Sequence, residues 1–266
     1  MDYSVYINER MVAVKDISRG KIRLKYMTSV PVNFNEVGLL VLNLCNEGKS
    51  VNETVDIILE RCDMPESERE GVTGDVLNLL RTLWKSGIIK WKDGIFPDMD
   101  AYSESFDGYT IREYTIEDSE GLVAILDTFG FDAFVKYKEN QCELIEAAML
   151  LMNVRFYEYR SNSCRLVIQA SYDSKVNQVN LQGISFADGG PDCEAFDRLI
   201  EWEIRRDIRN NMYVKNHFKE MPVYIHAADP KLLTMLNGLG FEKIGTLQKE
   251  VRMSDVDFCI KYVQLR

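Results

Sequence analysis

Between Pro97 and Gly108 the chain reads Pro-Asp-Met-Asp-Ala-Tyr-Ser-Glu-Ser-Phe-Asp-Gly, and this polar, irregular stretch constrains the fold more than any other feature. Proline, glycine, serine and aspartate cluster there without a run of apolar residues, which marks a linker between separately folding parts. It predicts a domain over residues 1–96 and a second over 109–266. A length of 266 residues suits one large domain or two modest ones, and the linker decides for two.

Residues 1 to 35 read as short strands. Val12-Ala13-Val14-Lys15 and Ile22-Arg23-Leu24-Lys25-Tyr26 alternate β-prone residues around the turn Ser18-Arg19-Gly20. Helices follow. Asn35 can cap a first one with Val37, Leu40, Val41 and Leu44 at helical spacing, ending at Gly48. Ser50 and Glu53 form a capping box for a second. Past Pro65 a longer third helix carries the stripe Val72, Val76, Leu79, Leu80, Leu83 and Trp84, and stops at Gly87. Ile88 to Phe96 then shows two β-prone runs around Lys92-Asp93-Gly94, a hairpin signal. Strands, three helices and a hairpin predict a winged helix-turn-helix.

The second half opens with a strand at Tyr109–Tyr114, then two helices, the later over about Gln141–Met152. Strands follow at Leu166–Ala170 and Gln178–Phe186, then the loop Ala187-Asp188-Gly189-Gly190-Pro191-Asp192 and a long helix over about 193–210. A strand at Pro222–His226, a short helix from Pro230 and closing strands complete an α+β or α/β domain.

Composition narrows the function. The net charge of −10 and pI near 4.9 repel a polyanion, so nucleic acid is not an expected partner, even though winged helices often bind DNA. No run approaches the ~20 apolar residues that span a bilayer, and the N-terminus lacks a secretory pattern. The expectation is a soluble cytoplasmic protein. Its six cysteines show no paired-ligand spacing, which predicts no metal site.

The segment Phe34 to Val55 resembles the PqqD-like family in the order and spacing of its residues, and the likeness covers roughly residues 8 to 92. The resemblance implies a module that recognises the leader segment of a ribosomally made precursor peptide (a RiPP recognition element). In that family the leader joins the sheet as an added strand, where backbone groups give affinity and alternate side chains fill pockets. The positions implied here are Val30 and Val32 on the docking strand, facing Leu79, Leu80 and Leu83 of the third helix. Other maturation enzymes are further partners that this implies.

In the second half, Thr110-Ile111-Arg112-Glu113-Tyr114-Thr115-Ile116-Glu117-Asp118 resembles the opening motif of the GNAT acyltransferases, and Ala228 to Gly245 resembles their closing segment. This implies an acetyl-CoA or longer acyl-CoA cofactor, held by Gly189 and Gly190 of the loop with Ile184 and Phe186 of the strand before it. The loop departs from the family pattern: it has no Arg or Gln, Pro191 has no N–H, and Asp188 and Asp192 add negative charge. Asp192 also suits the N-cap of the next helix. The family's general-acid tyrosine falls at Leu236. Acyl transfer needs a base for the amine and an acid for the leaving thiolate. His226 at a strand end is the candidate base, with Tyr262, Tyr224 and Cys259 as candidate acids.

Three readings stay open. The first is a peptide-binding enzyme that N-acylates its captured precursor from acyl-CoA. The second is a non-catalytic partner protein with a degenerate acyltransferase-like domain. The third, least compatible with the charge, is a ligand-sensing transcription regulator.

Overall fold

A computed structural model describes residues 1–26, 32–128, 141–151, 153–186, 192–208, 219–248 and 255–265. They fall into two units. The first takes residues 1–99, then 116–120 and the helix at 141–151; the second takes most of the remainder.

In the first unit, β1 (Val5–Ile7) pairs antiparallel with β5 (Ile89–Trp91), and β2 (Val12–Asp16), β3 (Lys21–Leu24) and β4 (Val32–Asn33) form a three-stranded sheet. Helices α1 (Glu36–Asn46), α2 (Val51–Arg61) and α3 (Arg69–Lys85) follow. Both caps read in the sequence are present. Asn35 accepts from the Gly38 N–H at 2.8 Å, and Ser50 and Glu53 satisfy each other's backbone donors at the start of α2. The apolar stripes meet in a core of Val41, Leu42, Val55, Leu80, Ile88 and Trp91. Gly87 ends α3 at φ +72°, a left-handed backbone conformation that favours glycine, and a Cβ there would press on the end of the Leu150 side chain.

The hairpin expected at residues 88–96 does not form. Lys92–Gly94 is a tight turn with Asp93 and Gly94 at positive φ, and no second strand follows it; β5 pairs with β1 instead. Apolar Ile89 and Trp91 gain more by closing on the N-terminal strand, where both are buried, than by turning back on Ile95.

The second unit is built on an eight-stranded sheet in the order β12-β13-β11-β10-β9-β8-β7-β6. Its strands are β6 (Ser103–Phe106), β7 (Tyr109–Glu113), β8 (Arg155–Ser161), β9 (Arg165–Asp173), β10 (Gln178–Phe186), β11 (Glu220–Ala227), β12 (Glu242–Leu247) and β13 (Val256–Gln264). Neighbours run antiparallel except β10 and β11, which are parallel. Helix α4 (Ser119–Thr128) begins in the residues grouped with the first unit, where α5 (Gln141–Leu151) also falls. Helix α6 (Cys193–Ile208) lies between β10 and β11 in sequence, and α7 (Pro230–Gly238) follows β11. One face of the sheet packs its apolar side chains against both, with Phe196, Leu199, Ile200, Leu232 and Leu236 in the core. This mixed sheet is of the type that the acyltransferase resemblance implies.

The stretch at 97–108 is ordered rather than a bare linker: β6 lies inside it and pairs with β7. One anchor is long-range, since Glu104 accepts from Trp202 Nε1 at 2.7 Å, and one is local, Phe106 stacking on Tyr109 at 4.7 Å. Strand β8, which the sequence reading passed over, lies third from the β6 edge, between β7 and β9, and is buried on both faces. Its Glu158 is only 4% exposed and is held by Arg112 and Arg165.

Candidate functional site

The second unit's site begins with an irregularity in β10. The ladder with β9 shifts register between Leu181 and Gly183, so one extra residue is inserted there. Beyond it the inward positions change from Val179 and Leu181 to Ile184 and Phe186. At the same place β10 and β11 part company: their parallel register covers only Val179↔Val223, Asn180↔Tyr224 and Leu181↔Ile225, whereas β10 runs on to Phe186. A bulge bends its strand, and a strand leaving its neighbour opens backbone groups to another ligand. Ser185 lies in this stretch fully buried, and its hydroxyl has no hydrogen-bond partner among the described residues. A buried hydroxyl without a partner costs about 1–3 kcal/mol, which a ligand or water meeting it would offset.

Three of the four candidate acid and base residues share one face. His226, Tyr224 and Pro222 alternate on β11, opposite Phe258, Ile260 and Tyr262 of β13. His226 is exposed, with its ring 4.4 Å from that of Phe258. Tyr224 is half-buried and Tyr262 is 59% exposed. Cys259 points to the other face, inside the core, where burial pushes its thiol up. The two faces thus separate Cys259 from the histidine and tyrosines.

Ile184 and Phe186 are buried against α6 and belong to the core. Gly189 and Gly190 lie outside the described residues. The start of α6 is described, and Asp192 occupies it: its carboxylate accepts the Glu194 N–H at 3.0 Å and the Ala195 N–H at 3.1 Å. These first-turn donors are those a phosphate at a helix N-terminus would use. Here they are bonded to a side chain that is itself an anion, so the start of α6 does not fit the pyrophosphate of a coenzyme A.

In the first unit, the peptide-binding positions spread differently from the expectation. Val32 lies on β4, one of the two edge strands of the three-stranded sheet, and is half-buried. Val30 lies outside the described residues. Leu80 and Leu83 are 1% and 4% exposed and serve the core, whereas Leu79 is half-buried at the surface of α3. Of the expected peptide-binding positions that are described, Val32 and Leu79 are the two that keep some exposure.

Sequence reasoning missed a buried polar cluster in this unit. Glu146 on α5 is fully buried and accepts from Asn8 at 3.1 Å, Ser119 at 2.7 Å and Lys90 at 3.2 Å, with Arg10 at 3.4 Å. Arg10 also pairs with Glu120, and Lys25 and Tyr26 bond Glu143 one turn earlier on α5. Nearby Glu117 accepts from the Trp91 N–H at 2.8 Å, and burial pushes its carboxyl up to about 7. The only local signal was an acid recurring through an otherwise apolar helix. Among the described residues no metal-binding group of His, Cys, Asp and Glu exists, and no helix is long and apolar enough to cross a membrane.

Comparison with known proteins bears on the two units separately. No curated protein matches the chain. Among solved structures, a variant of spermidine N-acetyltransferase from Vibrio cholerae is similar at 14% identity, covering 59% of this chain and 95% of its own, with a TM-score of 0.38. Ribosomal-protein-S5-alanine acetyltransferase from Vibrio fischeri gives 15% identity, 60% and 95% coverage and a TM-score of 0.37. An acetyltransferase from Salmonella typhimurium that modifies the N-terminal serine of the 50S subunit protein L7/L12 gives 10%, 60% and 97%, and 0.43. Scores below 0.5 leave the architecture of the second unit standing on its own strand order. Residues 23–89 match the family model described as coenzyme PQQ synthesis protein D (PqqD), and this part of the first unit is similar to that family.

Proposed function

We propose that the chain is a peptide-maturation protein: the first unit captures the leader of a ribosomally made precursor, and the second acylates an amine of the tethered peptide. The observation that carries this reading is the PqqD match at 23–89, which contains β4, a strand that pairs on one side only among the described residues. An edge of this kind accepts an extended peptide as a further strand. Capture raises the effective concentration of the remaining peptide, so the second unit needs little affinity of its own.

In the second unit this chain's residues supply positioning and proton transfer. The imidazole of His226 stands exposed on the β11 face, where it can take the proton of an incoming amine. Tyr224 on the same strand and Tyr262 across from Pro222 are the phenols that can return one. Because the start of α6 does not fit a pyrophosphate, no step is assigned to coenzyme A itself. That same Asp192 cap favours the second reading, a peptide-binding partner protein whose acyltransferase-like unit performs no transfer.

Calorimetric titration with acetyl-CoA and longer acyl-CoAs, followed by intact-mass analysis of a display-selected peptide, separates the two. Micromolar binding and a mass gain of one acyl group on the peptide support the enzyme. Peptide binding with neither cofactor binding nor mass gain establishes the partner protein.

A further inference from the structure

Residues opposite each other in an antiparallel ladder point to the same face of the sheet, so the registers sort the second unit's side chains into two faces. One face meets α6 and α7. On the other, Asn180, Tyr224 and Ile260 form a row across three neighbouring strands, β10, β11 and β13. Gln182 and His226 stand exposed on the side where β10 and β11 part, and Tyr262 is 59% exposed on the opposite side of the row.

None of these six side chains carries a formal charge, in a chain in which 28% of residues do and acids outnumber bases 42 to 32. Among the acids on this face, Glu158 lies mid-sheet on β8, buried and paired with Arg112 and Arg165, and the others stand at the margins. Asp173 is at the end of β9, where it accepts the Lys175 N–H; Glu220 is at the start of β11, bonded to Gln264; Glu242 is on edge strand β12. A polyamine would require carboxylates within the row, and an anionic ligand would require lysine or arginine there. The row instead offers amides, which both donate and accept, and rigid rings that pack on apolar groups at small cost in side-chain entropy. That combination matches the backbone and uncharged side chains of a polypeptide.

We propose that this face binds an uncharged stretch of polypeptide laid across β10, β11 and β13, the part of the captured precursor that is to be modified. The proposal deepens the reading of the second unit and rests on a peptide being its substrate. Gln182 is the position to probe, since it is exposed and its one bonded side-chain partner is Gln169, at 2.9 Å.

The test places the photo-crosslinker p-benzoylphenylalanine at Gln182 of the full chain. Three synthetic peptides of equal length serve as probes: one of Gly, Ser, Ala and Phe, one with lysines interspersed and one with aspartates. The neutral peptide is expected to label about fivefold more than either charged one, the scale of one charge pair in water. In a competition format without crosslinker, Gln182→Glu is expected to shift preference toward the lysine peptide by a similar factor. Equal labelling by all three peptides, or crosslinks that join two copies of the chain, would overturn the proposal. Acyl transfer is scored separately by intact mass. Labelling without transfer supports the face and removes the enzymatic reading; transfer to the neutral peptide without labelling overturns the face.

Discussion

The polar groups around Glu146 in the first unit and the row around Asn180 and Tyr224 in the second are opposite uses of polarity. Around Glu146 the charges of Glu146 and Lys90 are buried and that of Arg10 is half-buried, and each is bonded to another part of the chain: Lys90, Arg10, Asn8 and Ser119 converge on one carboxylate. Around Asn180 there is no charge, and Gln182, His226 and Tyr262 face outward. Satisfied buried charge specifies a fold, since removing one partner leaves the other unpaired in a dry site. Uncharged exposed polarity leaves the fold indifferent and is free to meet a ligand. The cluster that looks most like chemistry is thus structural, and the plainer surface is the candidate for binding.

The largest expected effect breaks the first half of the comparison. Glu146→Leu is predicted to cost roughly 3–5 kcal/mol of unfolding free energy, read by denaturant titration of the fluorescence of Trp84 and Trp91. Adding Lys90→Met to that variant is predicted to recover part of the loss, because a buried pair replaced together costs far less than a pair broken. Full additivity of the two losses would show that the residues do not act as a pair. Ser119→Ala removes a hydroxyl that donates to Glu146 at 2.7 Å, and about 1–3 kcal/mol is expected.

Next in size is a pH effect. The folded-state carboxyl of Glu117 sits at about 7 through burial, above its ordinary 4.5. The folded state therefore holds this proton more tightly than the unfolded chain. Its contribution is complete below about 4.5 and is lost as the pH rises through about 7. Stability of the first unit should carry a falling component across that window, and Glu117→Gln should remove it; an unchanged pH profile in the variant would exclude Glu117 as its source.

The smallest effects fall in the second unit. Asp192→Ala loses the cap of α6, about 1 kcal/mol. By freeing the N–H groups of Glu194 and Ala195 and removing a negative charge, it should also strengthen binding of inorganic pyrophosphate, measured by calorimetry. Gln182→Glu should change stability by less than about 0.5 kcal/mol, as exposed positions do, while altering peptide preference. A large stability loss there would sharpen the comparison against us, placing the row among structural networks.

Much of the fold was legible in short windows of sequence. The capping box at Ser50 and Glu53, the cap at Asn35 and the strand Gln178–Phe186 appear where local chemistry predicted them. What escaped depends on partners distant in sequence. Strand β8 reads as Arg-Phe-Tyr-Glu-Tyr-Arg-Ser, and its buried Glu158 is tolerable only because Arg112 of β7 and Arg165 of β9 flank it. The hairpin at Lys92–Gly94 failed because β5 found β1, more than eighty residues away. The site was legible in part: His226, Tyr224 and Tyr262 do share a face, but the bulge that parts β10 from β11 and the lack of charge along the row emerge only from the registers.

The most direct test of the account is hydrogen exchange of the full chain with and without a display-selected peptide that binds it. Capture at the β4 edge and passage across the second unit predict slowed exchange both in β3–β4, residues 21–33, and in β10–β11, residues 178–186 and 220–227. Protection confined to one of these regions, or to neither, would contradict a single peptide captured by the first unit and worked on by the second.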